Sequence, residues 1–245
     1  AGNGVYYNLS YGLTLSRSST DQPYYPRRGS EISVGVKLTP PYSLFNKKTA
    51  EEYSKMSSNE KYKWIEYHKW DIRAAWYQQL VGDLVVMVRA RYGFLGAYNT
   101  NLGVTPFERF FLGGDGMSSY SNFDGREIIG FRGYQNETLT PNYYYDDDTG
   151  GTIYNKNTVE LRYPLSLNPS ATIYALLFLE TGNSWDKFKN FNPFNLYRSA
   201  GVGVRIFMPM FGLLGLDWGY GFDDVPGIPS ANRSQFHFSI NGSID

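Results

Sequence analysis

The sequence contains no cysteine, which removes any disulfide framework and any thiolate metal site. Histidine is scarce too: only His68 and His237 occur, so a hydrolase would have few bases to pair with a nucleophile. Neither a G-x-S-x-G elbow nor an H-E-x-x-H zinc motif is present, and catalysis is not expected. No window approaches the length of apolar run that a transmembrane helix needs, so spanning by a helix is excluded. Charge of one sign is not in excess, with 23 basic against 23 acidic residues, which argues against a nucleic-acid binder driven by phosphate neutralisation. The chain starts at Ala1 without a charged and apolar leader, which suggests a processed protein or a piece of a longer one.

Aromatic residues and glycine are abundant: 22 Tyr, 16 Phe and 26 Gly in 245 residues, a high aromatic share for a soluble domain so rich in glycine. The dominant pattern is period two. In residues 5–16, Val5, Tyr7, Leu9, Tyr11, Leu13 and Leu15 alternate with small or polar residues, which reads as a strand with one apolar face. Similar alternation centres on Val34, Ile72, Val88, Leu161, Leu177, Val202, Leu216 and Phe238, giving about nine strands near the length of a tilted membrane strand.

The connections run long and short by turns, with 40–63, 99–157, 184–196 and 223–233 long and 81–83, 165–170 and 209–212 short. That is the expectation for consecutive hairpins of an up-and-down outer-membrane barrel. One face of these strands carries Arg89, Arg91, Glu160, Arg162, Glu180, Arg205 and Asp217. It is too charged for the core of a soluble β-sandwich or lipocalin-like barrel, whereas a water-filled lumen tolerates it. The expected fold class is therefore all-β: a transmembrane antiparallel up-and-down β-barrel, with residues 1–245 as one unit. Residues 49–67 open with Thr49, Glu51 and Glu52, the start of a capped surface helix in a long loop. An odd strand count does not close by itself, because an open edge in lipid leaves backbone groups unpaired. The reading is thus of about nine C-terminal strands of a roughly sixteen-stranded barrel, its N-terminal strands and any periplasmic domains lying outside this chain.

The longest connection, about 99–157, contains 106-PFERFFLGG-114 and then 131-FRGY-134. These two elements, in order and in one loop, resemble the outer-membrane barrel-assembly and translocation family typified by BamA. The family carries a PF-x-E-x-F-F-x-G-G element, matched here by Pro106, Phe107, Glu108, Phe110, Phe111, Gly113 and Gly114. Its V-R-G-F-like tetrapeptide is matched by Phe131, Arg132, Gly133 and Tyr134. Further along, 160-ELRYP-164, 180-ETGNSWD-186 and the terminal segment 234–245 are similar to family segments, although the family usually ends on an aromatic and this chain ends on Asp245.

The resemblance implies a loop folded into the lumen with its arginine meeting acids of the inner wall. Period two places Glu160 and Glu180 on the inward faces of adjacent strands, and Arg132 is expected to pair with one or both. The implied function is an insertase that assembles β-barrel proteins in the bacterial outer membrane through a lateral seam, without chemical catalysis. The last strand, with Phe236, Phe238, Ile240 and the kink-prone Gly242, would border that seam. Implied partners are unfolded outer-membrane proteins as substrates, outer-membrane lipids, accessory lipoproteins and periplasmic chaperones; neither nucleic acid nor cofactor nor metal is implied. The acidic run 146-DDDTGG-151 lacks the spaced ligands of a calcium loop and reads as a solvated tip. Two alternatives remain at this point: two-partner secretion by the same family, and a passive porin lined by Arg73, Arg89, Arg91, Arg162 and Arg205 with anion preference.

Overall fold

A computed structural model describes residues 5–46, 48–116, 126–141, 150–168 and 170–240. In chain order the strands are β1 (Tyr11–Ser18), β2 (Arg28–Leu38), β3 (His68–Gln79), β4 (Val85–Gly96), β5 (Phe110–Leu112), β6 (Glu127–Ile129), β7 (Ile153–Asn168), β8 (Ala171–Trp185), β9 (Tyr197–Met208), β10 (Gly212–Gly221) and β11 (Arg233–Ile240). Nine of them form one sheet in the order β1-β2-β3-β4-β7-β8-β9-β10-β11, every neighbour antiparallel. The short β5 and β6 pair parallel in a separate ribbon. Strands β1 and β11 are the two edges of the large sheet. No helix among the described residues is long and apolar enough to cross a membrane.

Alternation sets the two faces. On β8, Tyr174, Leu176, Phe178 and Glu180 are buried while Leu177 and Leu179 are exposed. The same outward face carries Leu13, Leu15, Ile32, Trp76, Leu216, Trp218 and Phe236, all exposed. In water such a continuous apolar surface would drive association, whereas in a bilayer it matches the solvent. The sheet curls, because Tyr24 before β2 stacks on Phe207 of β9 at 3.5 Å although several strands separate them. Beside it, Tyr25 is buried against Val85, Tyr174, Leu176 and Phe178, and its hydroxyl donates to the Arg162 carbonyl at 3.1 Å. The β1–β2 connection thereby covers one end of the inner face. The larger core lies between that face and the β4–β7 loop, where Phe110, Leu112, Ile129, Phe131, Tyr134 and Tyr154 meet.

Several boundaries differ from those read in the sequence. The first strand starts at Tyr11, not residue 5. The preceding stretch is drawn off by a second partner: Tyr7 bridges Trp64, stacks on its ring at 4.8 Å and donates its N–H to the Lys63 carbonyl. The expected helix of 49–67 is two short ones, α2 (Ala50–Lys55) and α3 (Ser58–Lys61), following α1 (Tyr42–Asn46). Thr49 with Glu52 and Ser57 with Glu60 each close a capping box, and the second box requires an extended residue that stops the first helix. Strand β7 begins at Ile153, so the loop spans 97–152 rather than 99–157. Polar Asn155 and Lys156 hid that start: Lys156 faces the filled interior, where it pairs with Glu180, and Asn155, on the opposite face, is buried as well.

Candidate functional site: the inward loop and its arginine

Charged side chains of the loop, Glu108 and Arg132 among them, are bound by the inner wall. The first is Glu108, held at φ +63°. Its carboxylate accepts from Lys37 Nζ at 2.6 Å and the Tyr67 hydroxyl at 3.2 Å, and Lys69 Nζ donates to its other oxygen at 3.2 Å. Burial pushes this carboxyl up, but the Lys37 hydrogen bond and the Lys69 charge hold it below its ordinary value. Lys69 also pairs with Glu127 of β6 at 2.6 Å, so one lysine of β3 clamps both strands of the ribbon at the end where they begin. Phe110 packs edge-on against Tyr154 at 4.7 Å, directly above the glycine at position 93, whose Cβ would stand 2.7 Å from the Phe110 ring.

Pro106 lies in the bend before the ribbon and is half-buried. Phe107 meets Tyr6 edge-on at 4.8 Å, and Phe111 lies under the Arg126 guanidinium at 4.8 Å. Gly113 and Gly114 both have positive φ, and the Gly114 carbonyl accepts from Phe131 N–H at 2.8 Å. The PF-x-E-x-F-F-x-G-G element thus forms the stem from which the 131–134 turn is presented.

The second contact is Arg132, which is 0% exposed. Its Nη2 donates to Glu180 Oε1 at 2.7 Å and to Glu160 Oε1 at 2.8 Å, and Nε donates to Glu180 Oε1 at 3.0 Å. Its Nη1 reaches Asp217 Oδ1 at 3.3 Å, and its backbone N–H donates to Glu180 Oε2 at 2.9 Å. The guanidinium carbon lies over the Phe178 ring, 3.7 Å from the centroid. Burial alone would lower its basicity, but Glu180, Glu160 and Asp217 hold it well above the usual arginine value. Each acid is also held from its own wall: Glu180 by Lys156 at 3.2 Å, Glu160 by Arg162 at 2.8 Å and Asp217 by Arg205 at 2.9 Å. Charges taken this far out of water are tolerable only when every one is paired and hydrogen-bonded.

Gly133 follows at φ +85°, and a Cβ there would stand 2.9 Å from Gly221 N and from the Tyr220 carbonyl carbon. The wall is cut away to match: a Cβ on Gly219 would come within 2.7 Å of Gly133 N. Gly133 N–H donates to His237 Nε2 on β11 at 2.9 Å, which fixes the imidazole as an acceptor at that nitrogen. Tyr134 is buried, and its hydroxyl donates to the Arg198 carbonyl at 3.0 Å. The turn therefore touches β7, β8, β9, β10 and β11 together.

Asp217, Phe178, Gly219 and His237 join Arg132 and the turn without a sequence motif that marks them as its partners. Asp217 carried a signal, as the one acid on a strand face otherwise occupied by Gly215, Gly219 and Gly221. His237 had none, since its role is to receive a backbone N–H. His237 and Ser239 are both buried on the inner face, and the imidazole is engaged with Gly133 rather than with a hydroxyl. On β11, Phe236, Phe238 and Ile240 point outward and are exposed. Gly242 and residues 146–149 lie outside the described residues. Among the described residues no group of three or more His, Asp or Glu side chains is arranged to hold a metal ion.

An antiparallel up-and-down sheet with an apolar outer face and a charged inner face carrying an anchored loop is the wall of an outer-membrane-type β-barrel. A profile of the Omp85 superfamily domain matches residues 1–244, and the chain belongs to that superfamily. Its fold is similar to the crystal structure of BamA from Haemophilus ducreyi lacking POTRA domains 1-3, with a TM-score of 0.63, 16% identity, and coverage of 94% of this chain and 41% of that one. The chain thus spans less than half the length of that BamA chain. No curated protein sequence matches it.

Proposed function

We propose that this chain is the C-terminal part of a transmembrane barrel, about nine strands of roughly sixteen, in a bacterial outer-membrane protein that inserts β-barrel proteins through a lateral seam. The observation that carries the reading is the tie between the loop and the edge of the sheet. The 131–134 turn is bonded to β7, β8, β9 and β10, yet its one hydrogen bond to β11 is from Gly133 to His237. The turn ties the wall together from β7 to β10, while β11 has one sheet neighbour among the described strands and takes a single hydrogen bond from the turn. An edge strand so placed can release its free side to an incoming strand, which adds by backbone hydrogen bonding. No bond of the substrate is broken, so no catalytic group is required. Unfolded outer-membrane proteins are the substrates in this reading, with surrounding lipid, accessory lipoproteins and periplasmic chaperones as partners.

The porin alternative is less well supported, since Arg162 and Arg205 are occupied by Glu160 and Asp217 and the loop fills that side of the lumen. This chain has no cysteine of its own, so a single one introduced into it is unique within these strands. Cysteine is introduced at Ser239 of β11, and single-cysteine versions of an unfolded barrel substrate are offered in membranes. Disulfide trapping at β11 supports the seam, and trapping confined to other strands would count against it.

A further inference from the structure

On the inner wall of β3 and β4, beside the loop rather than beneath it, lies a second cluster of arginines. Arg73 and Arg91 stand directly opposite each other in the β3–β4 register, and Arg89 is two residues from Arg91 on the same face. Like charges placed opposite across a ladder destabilise a sheet unless something lies between them. Arg73 gives its Nε to Asp71, whose second oxygen accepts from the Tyr154 hydroxyl at 3.1 Å. Arg91 has no such partner. It is 7% exposed, and its Nε makes no hydrogen bond. Nor does any ion pair form to it among the described residues. A guanidinium this far withdrawn from water calls for an anion.

Both arginines line a hollow of about 330 Å³, together with Ser16, Ser33, Glu31 and Arg89. Ser16 and Ser33 are register partners and add hydroxyls to the same wall. We propose that this hollow is an oxyanion-binding site for a phosphate-class group, held by Arg91 and Arg73. A carboxylate offers two oxygens and one charge; a phosphate group offers more acceptors and close to two charges, which suits facing guanidinium forks with hydroxyls beside them. Glu31 at the rim repels the same ligand and limits its affinity. The group is carried either by a free phosphate or by a lipid phosphomonoester, and the two are separable.

The test titrates inorganic pyrophosphate into the purified full-length protein in zwitterionic detergent by calorimetry, against chloride at matched ionic strength. Saturable binding is expected, weakened at least tenfold in Arg91→Gln and strengthened in Glu31→Gln. Thermal melting guards against misfolding: Arg91→Gln should melt no lower than the native protein in chloride, because it removes an unbalanced charge, but should lose the rise given by pyrophosphate. Saturation by pyrophosphate assigns a free oxyanion. A melting rise confined to nanodiscs containing phosphatidic acid, and missing in phosphatidylcholine, assigns a lipid phosphate. Equal responses of native protein and Arg91→Gln to pyrophosphate and to phosphatidic acid, or no response from either, would overturn the proposal.

Discussion

The backbone N–H of Gly133 donates to Nε2 of His237 across 2.9 Å, joining the tip of the inward loop to the strand at the edge of the sheet. Residues 104 positions apart in the chain are brought together by this bond. The loop is thus both a strut for the wall and a latch on its last strand.

Replacing His237 separates the latch from the strut. His237→Ala leaves a buried N–H unsatisfied and should weaken loop docking by about 1–3 kcal/mol. His237→Gln, whose amide oxygen still accepts, should recover part of that loss. Hydrogen exchange at the 131–134 backbone measures both, and equal protection in the two variants would contradict the assignment.

Gly133→Ala should be worse than a side-chain deletion. The residue sits at φ +85° with wall backbone 2.9 Å from where its Cβ would be. Left-handed backbone costs an L-residue about 1–2 kcal/mol before any clash is counted. Faster proteolysis within the loop, with the strands still protected, is the expected result.

The acids around Arg132 are not equivalent. Glu180 accepts from Nε, Nη2 and the backbone N–H of Arg132, whereas Glu160 accepts from Nη2 of Arg132 and is also held by Arg162. Glu180→Gln should cost on the order of 3–5 kcal/mol as an uncompensated buried charge appears. Glu160→Gln should cost less. Urea titrations of the two variants in detergent decide the order.

Acid should loosen the stem of the loop. The Glu108 carboxyl is held below its ordinary value of 4.5 by Lys37 and Lys69. A carboxyl depressed in the folded state stabilises it above the ordinary value, and that contribution disappears as pH falls through the folded one. Stability should therefore drop below about pH 4.5, and Glu108→Gln should flatten that part of the profile while lowering stability at neutral pH. An unchanged acid limb in the variant would exclude this role.

Much of the sheet was legible because lipid on one side and a polar interior on the other impose strict alternation, as along Leu177, Phe178, Leu179 and Glu180. Legibility failed where a residue answers to something other than the sheet. Tyr7 fits the apolar phase of a strand but stacks on Trp64, and Asn155 and Lys156 look like loop residues although they are buried wall. At the site, the loop motif and the inward phase of Glu160 and Glu180 could be read locally. Asp217, Gly219 and His237 depend on how far the loop reaches across the strands, and that distance is set by packing around Phe178 and Tyr134, not by any local pattern.

If the pinned loop supports an insertase, the rate at which the protein folds a barrel substrate should depend on Arg132. The full-length protein is reconstituted in liposomes, and the folding rate of a urea-unfolded barrel substrate is compared for native protein and Arg132→Ala, both checked for correct barrel mobility on unheated gels. Acceleration by the native protein that falls sharply in Arg132→Ala is the outcome expected here. Equal acceleration by both would show that the pinned loop is dispensable, and no acceleration by either would contradict the insertase itself.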